Sequence, residues 1–516
     1  MTELSRRRVL ALGAAGAAGL LLSGCAPANP AYTPTPTVTP VGPPDWTALA
    51  GSITGKLFRP GQSGYDQAKL TQNPSYDNAQ PLAVLSAAAA ADVASALAFA
   101  TKYRVPLALR AGGHSYPGWS SGGASGTGMP SSLVIDTSGL NQVTVAADGT
   151  ATVGAGASLA EVYSTLGNAG RALAGGSCAT VGAAGLTLGG GVGVLVRAYG
   201  LTCDALTAAQ IVTADGTIRT VNSSTDSDLY WACRGGGGGH LGVVTSLTFS
   251  TRPAPQVTMF YLSWSMASAA SVIAAWQNWA PAADPKLWAT LKLLGGQSHS
   301  GGPGISMSGT WIGDPGALDA QFAPFLAAID GALTEKDVNT RSYLDAMMRY
   351  AGCANTPVTQ CNTAPGGALT REPFANTSHV AYQPLTSAGI AALIAQVQTA
   401  QAVPGLTEGG ISMDALGGAV ASLAPDATAF VHRKALMTVQ YTSTFAVGAD
   451  PAPYFDYVRG FRTAMTPYWG QSAYVNYADA TLANPSAAYF GDNATRLKQI
   501  AQKYDPKGLF TQPQGY

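Results

Sequence analysis

Hydrophobic positions recur with a helical period in some stretches of this chain and with a strand period in others, and the switches divide it into elements. In LAVLSAAAAADVASALAFATKY, residues 82 to 103, Val93, Leu97 and Ala100 share one face of a predicted helix, and VPLALR directly after it reads as a buried strand. LVIDTSGL and QVTVAADGTATVGAG follow as alternating runs, with Asp148-Gly149 as a hairpin turn. Ser158-Leu-Ala-Glu161 has the form of a capping box that opens a helix to about Leu166. After about residue 252 the character changes. APQVTMFYLSW alternates like a strand, SAASVIAAWQNWA has a helical period, and further candidates of both kinds continue to about Phe455. The last stretch reads as an extended YVNYADATL and an amphipathic helix, ATRLKQIAQKYDP, stopped by Asp505-Pro506. The domains expected are therefore 46–252, 253–455 and a segment 456–516 that reverts to the style of the first.

The 516 residues are 47% hydrophobic and only 11% charged, which suits large buried cores and argues against disorder. The amino end is different in kind. Arg6, Arg7 and Arg8 precede a 14-residue apolar run from Val9 to Leu22, too short to span a bilayer comfortably and typical of an export signal. Ser-Arg-Arg-x-Val-Leu resembles a twin-arginine signal, which serves proteins exported already folded, and Leu22-Ser23-Gly24-Cys25 resembles a lipobox whose cysteine is acylated. The Pro/Thr-rich stretch at 25–45 would then be a stiff spacer. The expected location is exported, as a surface lipoprotein anchored through Cys25 or as a secreted protein, with no other membrane attachment. Removing residues 1 to 24 takes away three arginines and Glu3 from 28 charges of each sign, which leaves 25 basic against 27 acidic groups. No basic stripe points to nucleic acid.

Glycine is concentrated where chemistry is expected. Gly175, Gly176, Gly182, Gly185, Gly189, Gly190, Gly191 and Gly193 fall in one short stretch, and Gly235 to Gly239 form an unbroken run. Such clusters let backbone approach a ligand and aim N–H groups at an anion, so they suit a diphosphate. The G-x-G-x-x-G match at Gly237 to Gly242 is no Rossmann motif, because VVTSLTFS after it reads as a strand where a helix should open. No G-x-S-x-G elbow supports a serine hydrolase. Among the cysteines, Cys353 and Cys361 are spaced for a small disulfide loop, Cys203 and Cys233 read as buried thiols, and Cys178 remains unexplained in AGGSCATVGAAG. His114, in RAGGHSYPGW, is by itself either a turn residue satisfied by backbone or a functional group.

Four blocks in order decide between these. PLALRAGGHSYPGWS, GGSCATVGAAGLTLGGGVGVLVRAYGLTCDAL, LYWACRGGGGGHLGVVTSLTF, and YVNYADATL with RLKQIAQKYDPKGLF together resemble the berberine bridge enzyme-like branch of the vanillyl-alcohol oxidase / para-cresol methylhydroxylase superfamily. The resemblance implies an α+β fold: a two-subdomain FAD-binding domain plus a substrate domain whose antiparallel sheet, flanked by helices, roofs the flavin. It implies FAD bonded covalently to His114 and Cys178, an imidazole and a thiolate being suitable nucleophiles toward an electron-poor ring. Gly112, Gly113 and Ser115, with Thr180, Gly182 and Gly185, are expected at the diphosphate, and Gly190 and Gly193 in the same glycine cluster also count as cofactor-binding. Gly242 and Val243 are expected by the adenine and Asn476 near the isoalloxazine.

The resemblance further implies hydride transfer from a substrate C–H with a tyrosine as base. Tyr477 matches the family's position and Tyr474 is the alternative; in an extended YVNY they would face opposite ways. Gln440 matches a polar position on the roof. Val181 matches a position that admits oxygen in oxidases, so dioxygen is the expected acceptor and hydrogen peroxide the product. Val192 replaces an aromatic residue found in many relatives, which leaves sugars, other alcohols and phenolic alcohols all open as substrates. A monomer is expected. The competing expectations are a dehydrogenase of the same fold with another acceptor, and a binding lipoprotein that has lost catalysis.

Overall fold

The computed structural model describes residues 42–516; the export signal, the lipobox at Cys25 and most of the Pro/Thr-rich spacer lie outside the described residues. Among the described residues no helix is long and apolar enough to cross a membrane.

The first part of the chain builds two main sheets, with a two-residue ladder pairing Arg171–Ala172 with Arg252–Pro253. One has the order Lys56–Phe58, Ala83–Ser86, Leu133–Asp136, Leu107–Arg110, with its last three strands parallel. Here the structure corrects the helix read over 82–103. Ala83–Ser86 is a strand, and the helix is Ala90–Tyr103. A strand buried on both faces shows a continuous apolar run instead of alternation, so its period cannot be told from a helix. The break is set by Asp92, whose carboxylate accepts from the backbone N–H groups of Ala88 and Ala89 and from those of Thr54 and Gly55. The second sheet is antiparallel in the order Val143–Val145, Thr150–Gly154, Val243–Ser250, Leu206–Val212, Ile218–Asn222. Its hairpin turns at Gly149, with φ 85°, and the capping box of Ser158 and Glu161 opens the helix Leu159–Asn168.

The substrate domain is one seven-stranded antiparallel sheet. Its strands are β1 (Gln256–Trp264), β2 (Leu287–Gly295), β3 (Gly304–Trp311), β4 (Leu333–Ser342), β5 (Phe374–Ala381), β6 (Leu406–Ala415) and β7 (Met437–Phe445), in the order β4-β1-β3-β2-β6-β7-β5. Phe260, Leu291, Met413 and Val439 point from it into a core closed by Trp276, Phe322, Leu393 and Phe461 of the covering helices. The opposite face turns toward the FAD domain, where Trp288, Val380 and Leu416 pack against Val192, Val194 and Tyr474. The helix Ala452–Trp469 belongs to the substrate domain, since Phe461 and Met465 complete that core. The boundary read at 455/456 therefore falls inside a helix, and the chain returns to the FAD domain only after Trp469.

Two buried histidines make the fold acid-sensitive. His379 and His432 are 0% and 2% exposed, and burial holds their imidazoles at about 3 and about 4, below the ordinary 6.5. They are neutral when folded and titrate normally when unfolded. Their contribution to stability is complete above pH 6.5 and is lost as pH falls, toward 4 for His432 and toward 3 for His379, by about 1.4 kcal/mol per histidine per pH unit. The denaturant midpoint is expected to drop between pH 7 and pH 5; a midpoint that stays constant over that interval would rule the effect out.

Candidate active site

A cavity of about 380 Å³ lies where the glycine-rich loops of the first domain meet the roof. The strand Leu107–Arg110 delivers Gly112, Gly113, His114 and Ser115 to its wall, and the second loop delivers Cys178, Val181, Gly182 and Gly185. The two loops press together backbone to backbone. A Cβ on Gly112 would stand 2.2 Å from Gly182 N, and one on Gly182 would stand 2.4 Å from Gly112 N. Gly113 has φ 73°, which L side chains rarely adopt. By contrast, a Cβ on Gly185 would meet nothing within 4 Å, so this residue presents bare backbone to open space, as a close-lying cofactor requires.

His114 Nε2 and Thr180 Oγ1 are 2.8 Å apart. Burial lowers the imidazole to about 4, so it is neutral at ordinary pH. Cys178 is exposed on the cavity side, and Lys292 of the roof opposes the burial that raises its thiol. Among the described residues the other two free cysteines, Cys203 and Cys233, are buried, and Cys353 and Cys361 form a disulfide with Cα atoms 5.8 Å apart.

Three residues expected at the cofactor do not line the cavity. Thr180 stands behind His114 as its hydrogen-bond partner. Gly190 lies against Phe430 and Tyr474, and a Cβ on Gly193 would be 1.6 Å from Gly175 O. These last two are glycine because protein packs on them. Gly242, Val243 and Asn476 do line the cavity. Asn476 Nδ2 donates to Leu186 O and to Tyr474 Oη, both at 2.9 Å.

The YVNY stretch is not extended. Val475–Tyr477 is a 3-10 turn, which swings both tyrosine rings into one place, 5.0 Å apart and nearly perpendicular. Their environments differ. Tyr474 Oη accepts three hydrogen bonds, from Gly191 N, Val192 N and Asn476 Nδ2, and burial raises it to about 12 against the pull of these donors. Tyr477 has no side-chain hydrogen bond among the described residues. Its ring stacks on Tyr116 at 5.5 Å with planes 4° apart, and burial followed by the Asp414 carboxylate raises it well above an ordinary phenol. Gln440 reaches down from β7 and donates from Nε2 to Tyr116 Oη at 2.6 Å. Asp414 on β6 is itself raised by burial, against Thr290 and Lys292.

Tyr116, Lys292 and Asp414 join the site without being among the residues expected there. Tyr116 is only two residues from His114 and was legible in principle. Asp414 and Lys292 occupy ordinary polar positions of alternating strands, and nothing local marks them.

A glycine-lined cavity under a polar antiparallel roof, with a histidine and a cysteine on its wall, defines an FAD-binding, two-domain oxidoreductase. A family profile described as "FAD binding domain" matches residues 81–222, and one described as "Berberine and berberine like" matches 473–515. The chain is 32% identical over 463 residues to the FAD-linked oxidoreductase YgaK of Bacillus subtilis (strain 168), covering 89% of this chain and 96% of that one. It is 30% identical over 450 residues to the chitooligosaccharide oxidase of Gibberella zeae, covering 84% and 87%. The solved structure of BBE-like 1 from Physcomitrella patens superposes with a TM-score of 0.81 at 29% identity, over 91% of this chain and 98% of that one. The chain belongs to the berberine bridge enzyme-like FAD-linked oxidases of the para-cresol methylhydroxylase superfamily.

Proposed function

We propose that this enzyme is a carbohydrate oxidase that removes hydride from a hydroxyl-bearing sugar carbon, with FAD bonded to His114 and Cys178 and dioxygen as the final acceptor, releasing hydrogen peroxide. The observation that carries the reading is Tyr477: it lines the cavity together with Gln440 of the roof and has Asp414 as its charged neighbour, on a sheet face that also carries Thr290, Lys292 and Ser412. The similarity to a chitooligosaccharide oxidase supports a sugar over the other alcohols.

FAD supplies the two-electron acceptor when bound. The remaining work falls to this chain. Tyr477 Oη takes the proton of the substrate hydroxyl while its own proton passes, by way of a water bridging the gap between them, to the Asp414 carboxylate. A free phenolate would be scarce, because burial and Asp414 both raise the phenol; a relay avoids forming one. Tyr474 is unsuited to the task, since three N–H donors already occupy its oxygen. It anchors the turn that aims Tyr477. Gln440 holds Tyr116 against the Tyr477 ring.

For the attachment, His114 Nε2 is engaged with Thr180 Oγ1, so Nδ1 would be the nitrogen that holds the flavin at its methyl carbon, and Cys178 would be the thiol for the second bond. Val181 lies on the same wall, where its short side chain would let dioxygen approach. Acid-precipitated, denatured protein is expected to stay yellow, with flavin mass on both the His114 and the Cys178 peptides. Flavin on neither peptide would end the covalent reading. Peroxide release on sugars tests the oxidase reading, which fails if only a quinone or dye is reduced. Export through the twin-arginine route, lipid on Cys25 and action as a monomer complete the proposal; the intact mass of the membrane-fraction protein tests the lipid.

A further inference from the structure

The FAD-facing side of the seven-stranded sheet carries an ordered row of side chains that the proton transfer does not use. Asp337 on β4 pairs with Tyr261 on β1, Tyr261 with Ser308 on β3, Ser308 with Thr290 on β2, and Thr290 with Asp414 on β6. The row thus crosses five neighbouring strands from the sheet edge to the carboxylate beside Tyr477. Asp337 and Tyr261 at the edge are exposed, Ser308 is half-buried, Thr290 is buried, and Asp414 at the inner end is half-buried.

Alternation fixes which face Tyr261 occupies. Phe260 and Leu262 on either side of it point into the helix-covered core, so Tyr261 points the other way. One step toward the domain seam, Met259 and Trp288 join the apolar cluster at the seam and Thr310 Oγ1 donates to Val194 O. The row through Tyr261 is the first that opens to solvent, at its sheet-edge end. Tyr261 is 38% exposed, and among the described residues its ring pairs with no aromatic and its hydroxyl with no partner. The adjacent row adds Ser263, Ser306 and Lys292, in register, as further polar groups.

An unpaired aromatic ring beside a carboxylate and a line of hydroxyls is the chemistry that recognises a pyranose, whose C–H face lies on the ring while its hydroxyls meet the polar groups. Strands lie about 4.8 Å apart, so the three spacings from β6 to β1 span about 14 Å. One pyranose unit advances a linear chain by about one such spacing. We infer that Tyr261 and Asp337 form a distal sugar-binding subsite three units from the unit oxidised beside Asp414, so that linear tetrasaccharides engage it and disaccharides do not. This rests on the carbohydrate reading of the site.

The test is steady-state oxidation by the holoenzyme of β-1,4-linked gluco-, xylo- and N-acetylglucosamine oligosaccharides of two and four units. The wild type is expected to show a lower KM for the tetrasaccharide of the series it accepts. In Tyr261→Ala that KM is expected to rise about three- to tenfold, the loss of one aromatic contact, with kcat and the disaccharide KM unchanged. Tyr261→Trp should restore the preference, which a folding defect would not allow. Equal KM values for the two lengths in the wild type, or a tetrasaccharide KM that Tyr261→Ala leaves unchanged, would overturn the subsite while leaving the oxidase reading intact. No turnover on any sugar would overturn the carbohydrate reading and the subsite together.

Discussion

Tyr477→Phe is expected to lower kcat on sugars by about 10²- to 10⁴-fold, the usual worth of a positioned acid–base group. The substitution removes one oxygen from a ring that stacks on Tyr116 and makes no side-chain hydrogen bond among the described residues, so packing and flavin content should be retained. Sugar KM should change little, because the lost interaction belongs to proton transfer. The same change at Tyr474 should act differently. It orphans the amides of Gly191 and Val192 and frees Asn476, so its main effect is expected on stability and on flavin incorporation. Asp414→Asn separates the relay from simple phenol catalysis. The wild-type rate should fall in acid as Asp414, raised above an ordinary carboxylate by burial, takes up a proton; that acid limb should disappear in the variant. Normal kcat in Tyr477→Phe together with a large loss in Tyr474→Phe would exchange the two assignments.

Arg197→Ala is expected to destabilise the protein by about 4 kcal/mol or more, enough to prevent accumulation of folded protein. Arg197 is fully buried in the short helix Val196–Tyr199 of the FAD domain. Its guanidinium donates to the carbonyls of Leu287, Pro281, Ala283 and Leu416, all in the substrate domain. Burial lowers its pKa only to about 10, so the charge persists at neutral pH, satisfied by carbonyl dipoles with Asp284 as the supporting carboxylate. Truncation leaves four buried carbonyls without donors and a void between the domains. Arg197→Lys should recover little, because a single ammonium cannot reach four acceptors spread around a planar fork. Soluble yield and thermal midpoint measure the effect; a midpoint within a few degrees of wild type would show that the carbonyls are re-satisfied by water.

The amino-acid sequence alone determined what depends on local chemistry. The glycine clusters, His114 between two glycines, and a lone Cys178 in a small-residue loop are backbone and nucleophile requirements written in consecutive residues. So were the hairpin at Gly149 and the capping box at Ser158, each closed by hydrogen bonds within a few positions. The failed Rossmann match was legible for the same reason, since the strand after Gly242 is a local period. What escaped was decided by packing between distant segments. Ala83–Ser86 is a strand because a parallel sheet buries both its faces. Gly193 is glycine because Gly175 lies on it. Asp414, Gln440 and Tyr261 share one face of the sheet because strand register and alternation align them, and register is set by how seven strands pair across some 190 residues of chain. The two tyrosines of YVNY show the division most plainly. Their spacing was in the sequence, but a 3-10 turn put both rings at one cavity, and only the amides of Gly191 and Val192, nearly 300 residues away, occupied one hydroxyl and left the other free.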